Sequence, residues 1–286
     1  MAQLRDIKDR INSVKKTRKM TQAMKMVSAA KFKRFSKLAV SSRFIIHELD
    51  FNINQVCSDS NGLFNVPFMN PVESDRDLII VVSGDRGLCG GFNSNILKFA
   101  SNYIKESAND SDLILFGKKA MSHFKHSNNP VVKSFENFQE TMTIDKVADI
   151  ATDCAESYLS GKYEKIVLLY NEFKSAVTSN LISKQLFPIR WDSDDDCDVD
   201  QNIIIEPNVD DVLSSLCQSY VKYSLYNAFL ESSAAEQGAR MAAMDAASGN
   251  AGDMIADLTL VYNRQRQAQI TTELSEIVAG AEALVN

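Results

Sequence analysis

The stretch best equipped for chemistry is Ser83-Gly84-Asp85-Arg86-Gly87-Leu88-Cys89-Gly90-Gly91-Phe92-Asn93, where four glycines surround a carboxylate, a guanidinium and a thiol. It follows a β-branched apolar run and precedes a helical pattern, the place of a phosphate-binding loop in a dinucleotide-binding fold. The spacing does not suit that chemistry. The glycines fall at 84, 87, 90 and 91, which does not match G-x-G-x-x-G, and no GxxxxGK[ST] occurs. Where a ribose-binding carboxylate would be expected, only Asp110 and Asp112 are present, in loop context. Cys89 has no histidine nearby in sequence to take its proton, so a thiol nucleophile is not predicted. The loop is left with recognition: Asp85 and Arg86, exposed on it, could make a specific polar contact with a neighbouring protein.

No other cluster carries catalytic or metal-binding spacing. Cys57, Cys89, Cys154, Cys197 and Cys217 are scattered without a CxxC pair, and the three histidines form no group. This predicts a reducing compartment, with no zinc site, cofactor site or disulfide framework. The acidic insert DSDDDCDVDQ, Asp192 to Gln201, reads as a solvated loop, with cation binding as the alternative.

The elements around the glycine loop carry more information. From Asp210 to Asn286 the chain runs 77 residues without a proline, about 115 Å if helical throughout. Met241, Met244, Ser248, Ala251, Ile255, Leu258 and Tyr262 alternate steps of three and four, a heptad seam facing a partner helix. Residues 3–56 contain neither Gly nor Pro, and Leu4, Ile7, Ile11 and Val14 start a second seam. After a slip, Met20, Met24 and Val27 continue it, and Leu38, Ile45, Leu49 and Ile53 extend it. The methionines Met20, Met24, Met26, Met241 and Met244 are expected near one level of that seam, as core packing or as a deformable contact. So narrow an apolar stripe needs a partner, and the C-terminal helix is the obvious one.

Charge supports that pairing. Residues 1–43 hold thirteen Lys/Arg against Asp6 and Asp9, whereas residues 210–286 hold ten acids against four bases, on a chain of net charge −6. The basic arm implies an acidic partner, or simply a solvated face. No run of eighteen apolar residues predicts a membrane span, and MAQLRDIKDRI has neither a signal-peptide core nor transit-peptide character. Between the long helices, DLIIVVS, DLILFG, PVVKSF and EKIVLLYNEF read as strands alternating with helices near 94–105, 118–125 and 144–159. LISKQLFPI and IIIE read as edge strands. The expected organisation is a long helix at 1–57, an α/β domain at 76–206 and a long helix at 208–286.

Four stretches resemble one family end to end: MTQAMKMVSAAKF (Met20–Phe32), SGDRGLCGGFN (Ser83–Asn93), QGARMAAMDAAS (Gln237–Ser248) and LTLVYNRQRQAQITTELSEIVAGA (Leu258–Ala281). The chain is similar to gamma subunits of F-type ATP synthases. The resemblance implies an antiparallel, left-handed coiled coil of the terminal helices with an inserted Rossmann-like α/β domain. It also implies a rotor without catalytic residue, cofactor or metal of its own. The C-terminal tip would turn inside a ring of three alpha and three beta subunits. The α/β domain would rest on epsilon and the membrane c ring, with delta a further candidate neighbour. Proton flow through the c ring would turn the stalk and drive each beta site in turn through binding, synthesis and release of ATP.

The resemblance implies an acidic lever on beta, to which the basic arm Lys15, Lys16, Arg18, Lys19, Lys25, Lys31, Lys33 and Arg34 would be the electrostatic counterpart, and Met24 matches a family position near that lever. Asp85, Arg86 and Cys89 would form another contact with beta. Arg240, Arg266, Gln267, Thr271 and Glu273 match positions linked to coupling. The segment 191–202 holds only Cys197, so the redox cysteine pair of some chloroplast relatives is not expected. Peripheral association with the cytoplasmic face of a bacterial inner membrane, indirect through the c ring, is the expected location; the mitochondrial matrix face is the alternative. Two rival readings remain. One is a freestanding α/β nucleotide-binding enzyme with a coiled-coil dimerisation arm. The other is a nucleic-acid binder, disfavoured by sparse aromatics on the basic arm and by the acidity of the rest.

Overall fold

In the computed structural model, residues 2–60, 64–175, 178–190 and 205–285 are described. The elements are α1 (Ala2–Asp59), β1 (Arg76–Val82), α2 (Phe92–Glu106), β2 (Asp110–Phe116), α3 (Lys118–Phe124), β3 (Val131–Phe135), α4 (Phe138–Thr141), α5 (Ile144–Leu159), β4 (Lys165–Phe173), β5 (Ser179–Phe187) and α6 (Val209–Val285). Long terminal helices with an α/β sheet between them are the expected fold class. Only the four-residue α4 has no counterpart in the sequence reading, being too short for any periodicity to show. The acidic insert and the first two residues of IIIE (203–204) lie outside the described residues, and its described residues, Ile205 and Glu206, are not in a strand. The chain divides into two compact units, Ala29–Arg240 and Met1–Ser28 with Met241–Asn286.

In the unit 29–240 the sheet order is β3-β2-β1-β4-β5. β1 pairs in parallel with β2 and β4, β2 pairs in parallel with β3, and β5 closes the edge antiparallel to β4. Side chains of a strand alternate between faces, so each central strand feeds two cores. Leu78, Ile80, Val82, Ile114, Phe116, Ile166 and Leu168 pack with α5, the end of α1 (Ile53, Val56, Cys57) and the start of α6 (Leu213, Cys217, Val221, Leu225, Phe229). Ile79, Val81, Leu113, Leu115, Val167 and Leu169 pack on the other face with Ile96, Leu97 and Ala100 of α2 and Ala120 and Phe124 of α3. Burial on both faces is why these strands read as unbroken apolar runs.

The unit 1–28 with 241–286 is an antiparallel helix pair. Lys25 meets Asp245 at 2.5 Å. Seven residues earlier on α1, Arg18 lies over Gly252, where an added Cβ would stand 3.6 Å from the guanidinium carbon. The predicted α6 seam is present. Met244, Ser248 and Ala251 are buried, and Met241, Ile255, Leu258 and Tyr262 half-buried.

The α1 seam differs from its sequence reading. It does not slip. Positions 4, 7, 11, 14, 18, 21, 25 and 28 keep one heptad phase, and 32, 35, 39, 42, 46, 49, 53 and 56 continue it. All are buried or half-buried except Arg18. The inward residues are therefore Thr21, Ser28, Ala39 and Ser42, while Met20 (66% exposed) and Val27 (58%) face outward. Leu38 and Ile45 are likewise exposed. Small or hydroxyl-bearing residues occupy the buried seam positions there, so an apolar count loses the phase. The methionines consequently do not form one core layer: Met20 and Met26 are exposed, Met24 and Met241 half-buried, and Met244 buried.

Candidate partner-binding site

Sheet topology creates a switch point at the carboxyl end of β1, where the chain goes to β2 on one side and β4 on the other. Open α/β sheets bind ligands in that crevice. The glycine loop leaves β1 there, fastened at its start by Ser83. The Ser83 backbone N–H and Oγ both donate to Phe116 O, at 2.9 and 3.0 Å, and Oγ accepts from Ala120 N at 2.9 Å. Gly117 accepts the close crossing: its φ is +93°, and a Cβ would lie 2.4 Å from Ser83 O.

The crevice is filled from α6. A Cβ on Gly84 would meet Glu236 Oε2 at 2.8 Å and Asn93 Oδ1 at 2.9 Å. Glu236 and Arg240 are one helical turn apart, 3% and 7% exposed, and joined as an ion pair. Arg240 donates through Nη2 to Gly87 O at 3.2 Å and Arg86 O at 3.5 Å, and through Nε to Gly87 O at 3.4 Å. Gln139 of α4 donates to Glu236 Oε2 at 2.5 Å and accepts from Gln237 at 3.1 Å. Burial pushes the Glu236 carboxyl above the usual carboxylate range, with Arg240 acting against it. The space a phosphate loop would offer a nucleotide is thus occupied by this chain's own side chains.

The loop's chemistry-bearing residues separate into two directions. Asp85 is half-buried, and its Oδ1 accepts from Lys118 N at 3.1 Å and Asn137 N at 3.0 Å. Cys89 is 2% exposed and packs with Phe92 and Ala235. Burial raises its thiol above the ordinary range, and Asn93 Nδ2 donates to its sulfur at 3.1 Å. Arg86 and Leu88 face solvent, Leu88 with a φ of +61°. Leu88 and Glu236 went unnoticed in the sequence, because neither a left-handed leucine nor a buried glutamate leaves a mark in spacing.

The other predicted residues lie on the long helices. Lys15, Lys16, Arg18 and Lys19 are exposed on α1, and Met24 and Lys25 half-buried. Arg266, Gln267, Thr271 and Glu273 are exposed on α6. Thr271 Oγ1 donates to Gln267 O at 2.9 Å, and Gln269 donates to Glu273 at 2.8 Å. Every described side chain from 270 to 281 is exposed, including Leu274, Ile277 and Val278 at 57%, 67% and 60%. With the exposed Ile270 they fall at i, i+4, i+7 and i+8, so the exposed large apolar side chains of this stretch share one face of the helix. Arg240 differs from its companions in facing into the chain.

A family profile described as "ATP synthase" matches residues 3–284. The "ATP synthase gamma chain" of Trichlorobacter lovleyi is 40% identical over 290 residues, covering 99% of each chain. That of Chlorobaculum tepidum is 38% identical over 291 residues, again covering 99% of each. In fold, the chain is similar to the rotor of Euglena gracilis mitochondrial ATP synthase, with a TM-score of 0.64 at 17% identity over 94% of this chain and 99% of that one. Matched from end to end by such relatives, the chain belongs to the ATP synthase gamma-chain family.

Proposed function

We propose that this chain is the central-stalk rotor subunit of a proton-translocating F-type ATP synthase. It couples rotation of a membrane c ring to ATP synthesis and hydrolysis at sites on beta subunits, and holds no catalytic residue itself. The observation that carries this is 40% identity to a gamma chain over 99% of both chains. The physical reading agrees. A shaft that transmits torque is stiffer as two paired helices than as one, and the heptad pairing of α1 with α6 supplies that. A shaft turning inside a ring needs an end without deep interlocking, and the last turns of α6 carry Ala279, Gly280 and Ala281.

On this reading the 1–57 and 208–286 helices form the stalk and 76–206 the foot. The partners are three alpha and three beta subunits, epsilon and the c ring, with delta a further candidate. Lys15, Lys16, Arg18, Lys19, Met24 and Lys25 face an acidic lever of beta, where opposite charge favours encounter and register. Asp85, Arg86 and Cys89 belong to a second contact with beta, made outwardly by Arg86. Arg266, Gln267, Thr271 and Glu273 make a third near the tip, and Arg240 supports the second from within. No described helix is long and apolar enough to cross a membrane, so attachment runs through the c ring. On this reading the chain lies peripherally on the cytoplasmic face of a bacterial inner membrane, with the mitochondrial matrix face as the alternative.

Co-expression with alpha and beta subunits tests the proposal. The chain should co-purify in an ATP-hydrolysing complex and hydrolyse no ATP alone. Robust ATPase activity from the single purified chain, or its exclusion from the complex, would refute it.

A further inference from the structure

The contact proposed above for the glycine loop, on which this inference rests, requires something to hold that loop in shape. We infer that Glu236 is a positioning residue: acting through Arg240 and Gln139, it fixes the 84–91 loop so that Leu88 and Arg86 present themselves to a partner surface offering an apolar pocket beside a carboxylate.

Leu88 is the reason to look for such a device. It is 65% exposed and has a φ of +61°, a backbone conformation L side chains seldom adopt. Neither hydrophobic burial nor local preference accounts for a leucine held there, and strained residues of this kind persist only where their surroundings over-determine them. Beside it stands Arg86, exposed and with a backbone carbonyl held by Asn93 Nδ2 at 3.0 Å. The exposed pair is one apolar knob and one cation, which defines the chemistry of the surface it fits.

The surroundings over-determine the loop from behind. Arg240 reaches the carbonyls of Arg86 and Gly87, the two residues before Leu88. Gly84 N donates to Asn93 Oδ1 at 2.8 Å, and Asp85 is tied to the starts of α3 and α4. Arg240 has distances of 3.2–3.5 Å to the loop carbonyls, at the long end of hydrogen bonding. Its orientation therefore depends on its charged partner, Glu236, which Gln139 fixes on the other oxygen. Glu236 is 3% exposed and touches no partner surface itself. Its influence passes through Arg240 to the loop and so to Leu88.

The test uses the assembled complex in sealed vesicles, reading protons pumped per ATP hydrolysed. Glu236→Gln keeps the side-chain shape and removes the charge. It should lower the ratio at least twofold, as should Leu88→Ala. The double variant should be no worse than the poorer single one, because both act on one contact; a general loss of stability would add instead. Glu236→Asp should recover part of the ratio. If Leu88→Ala lowers the ratio and Glu236→Gln leaves it unchanged, or if the two losses add, the inference is overturned while the loop contact stands. If Leu88→Ala and Arg86→Ala both leave it unchanged, the loop contact itself fails and takes the inference with it. Should Glu236→Gln not assemble, Gln139→Leu decides the matter, since it frees the second carboxylate oxygen: a lowered ratio supports the inference and a wild-type ratio overturns it.

Discussion

Lys25 donates to Asp245 at 2.5 Å, tying the basic arm of α1 to an acidic position on α6 within the helix pair. The side chains are 41% and 62% exposed, so water and salt screen the pair heavily. Lys25→Ala and Asp245→Ala are expected to give a coupling of about 0.2–1 kcal/mol in a double-mutant cycle, shrinking as salt is raised. Urea unfolding of the four chains at two ionic strengths measures it. A coupling that is large and insensitive to salt would contradict the exposure.

Met24 is half-buried, while Met20 and Met26 beside it are 66% and 67% exposed among lysines. Met24→Lys should therefore add repulsion on a partner-facing stretch without opening a deep core. We expect assembled complex at near wild-type yield and fewer protons pumped per ATP hydrolysed. An unchanged ratio would count against the proposed contact.

Gly117 and Gly249 should respond to alanine with opposite signs. At Gly117 the φ of +93° and the approach to Ser83 O leave no room. The conformation alone costs on the order of 1–3 kcal/mol, and the clash adds to it. At Gly249, within α6, nothing lies within 4 Å of an added Cβ. Alanine there should stabilise by about 0.5–1 kcal/mol, because glycine is the poorer helix former. Chemical-denaturation midpoints of the two variants give both signs in one experiment.

The buried thiols set a pH dependence. Burial pushes Cys57, Cys154 and Cys217 from an ordinary value of 9.0 up to about 12. An unfolded chain ionises these thiols near 9, and the folded chain keeps them neutral, so folding is fully favoured below that pH. Stability should fall as pH rises from about 9 towards 12. Iodoacetamide at mildly alkaline pH should leave all three unmodified until denaturant is added, and peptide mapping of labelled sites checks this. Rapid labelling of the folded chain would show that the thiols are accessible.

The long helices, the parallel strands and the heptad seam of α6 were legible because each repeats a local period over many residues. The phase of α1 was not. Thr21, Ser28, Ala39 and Ser42 are buried, and a search for apolar residues steps over them onto Met20 and Val27. The placing of Asp85 and Cys89 inward, of Arg86 and Leu88 outward, and of Arg240 behind the loop was decided only in three dimensions. Those directions depend on contacts between residues some 150 positions apart in the chain. Local sequence specifies which element forms; what each loop side chain faces depends on the distant helix that packs against it.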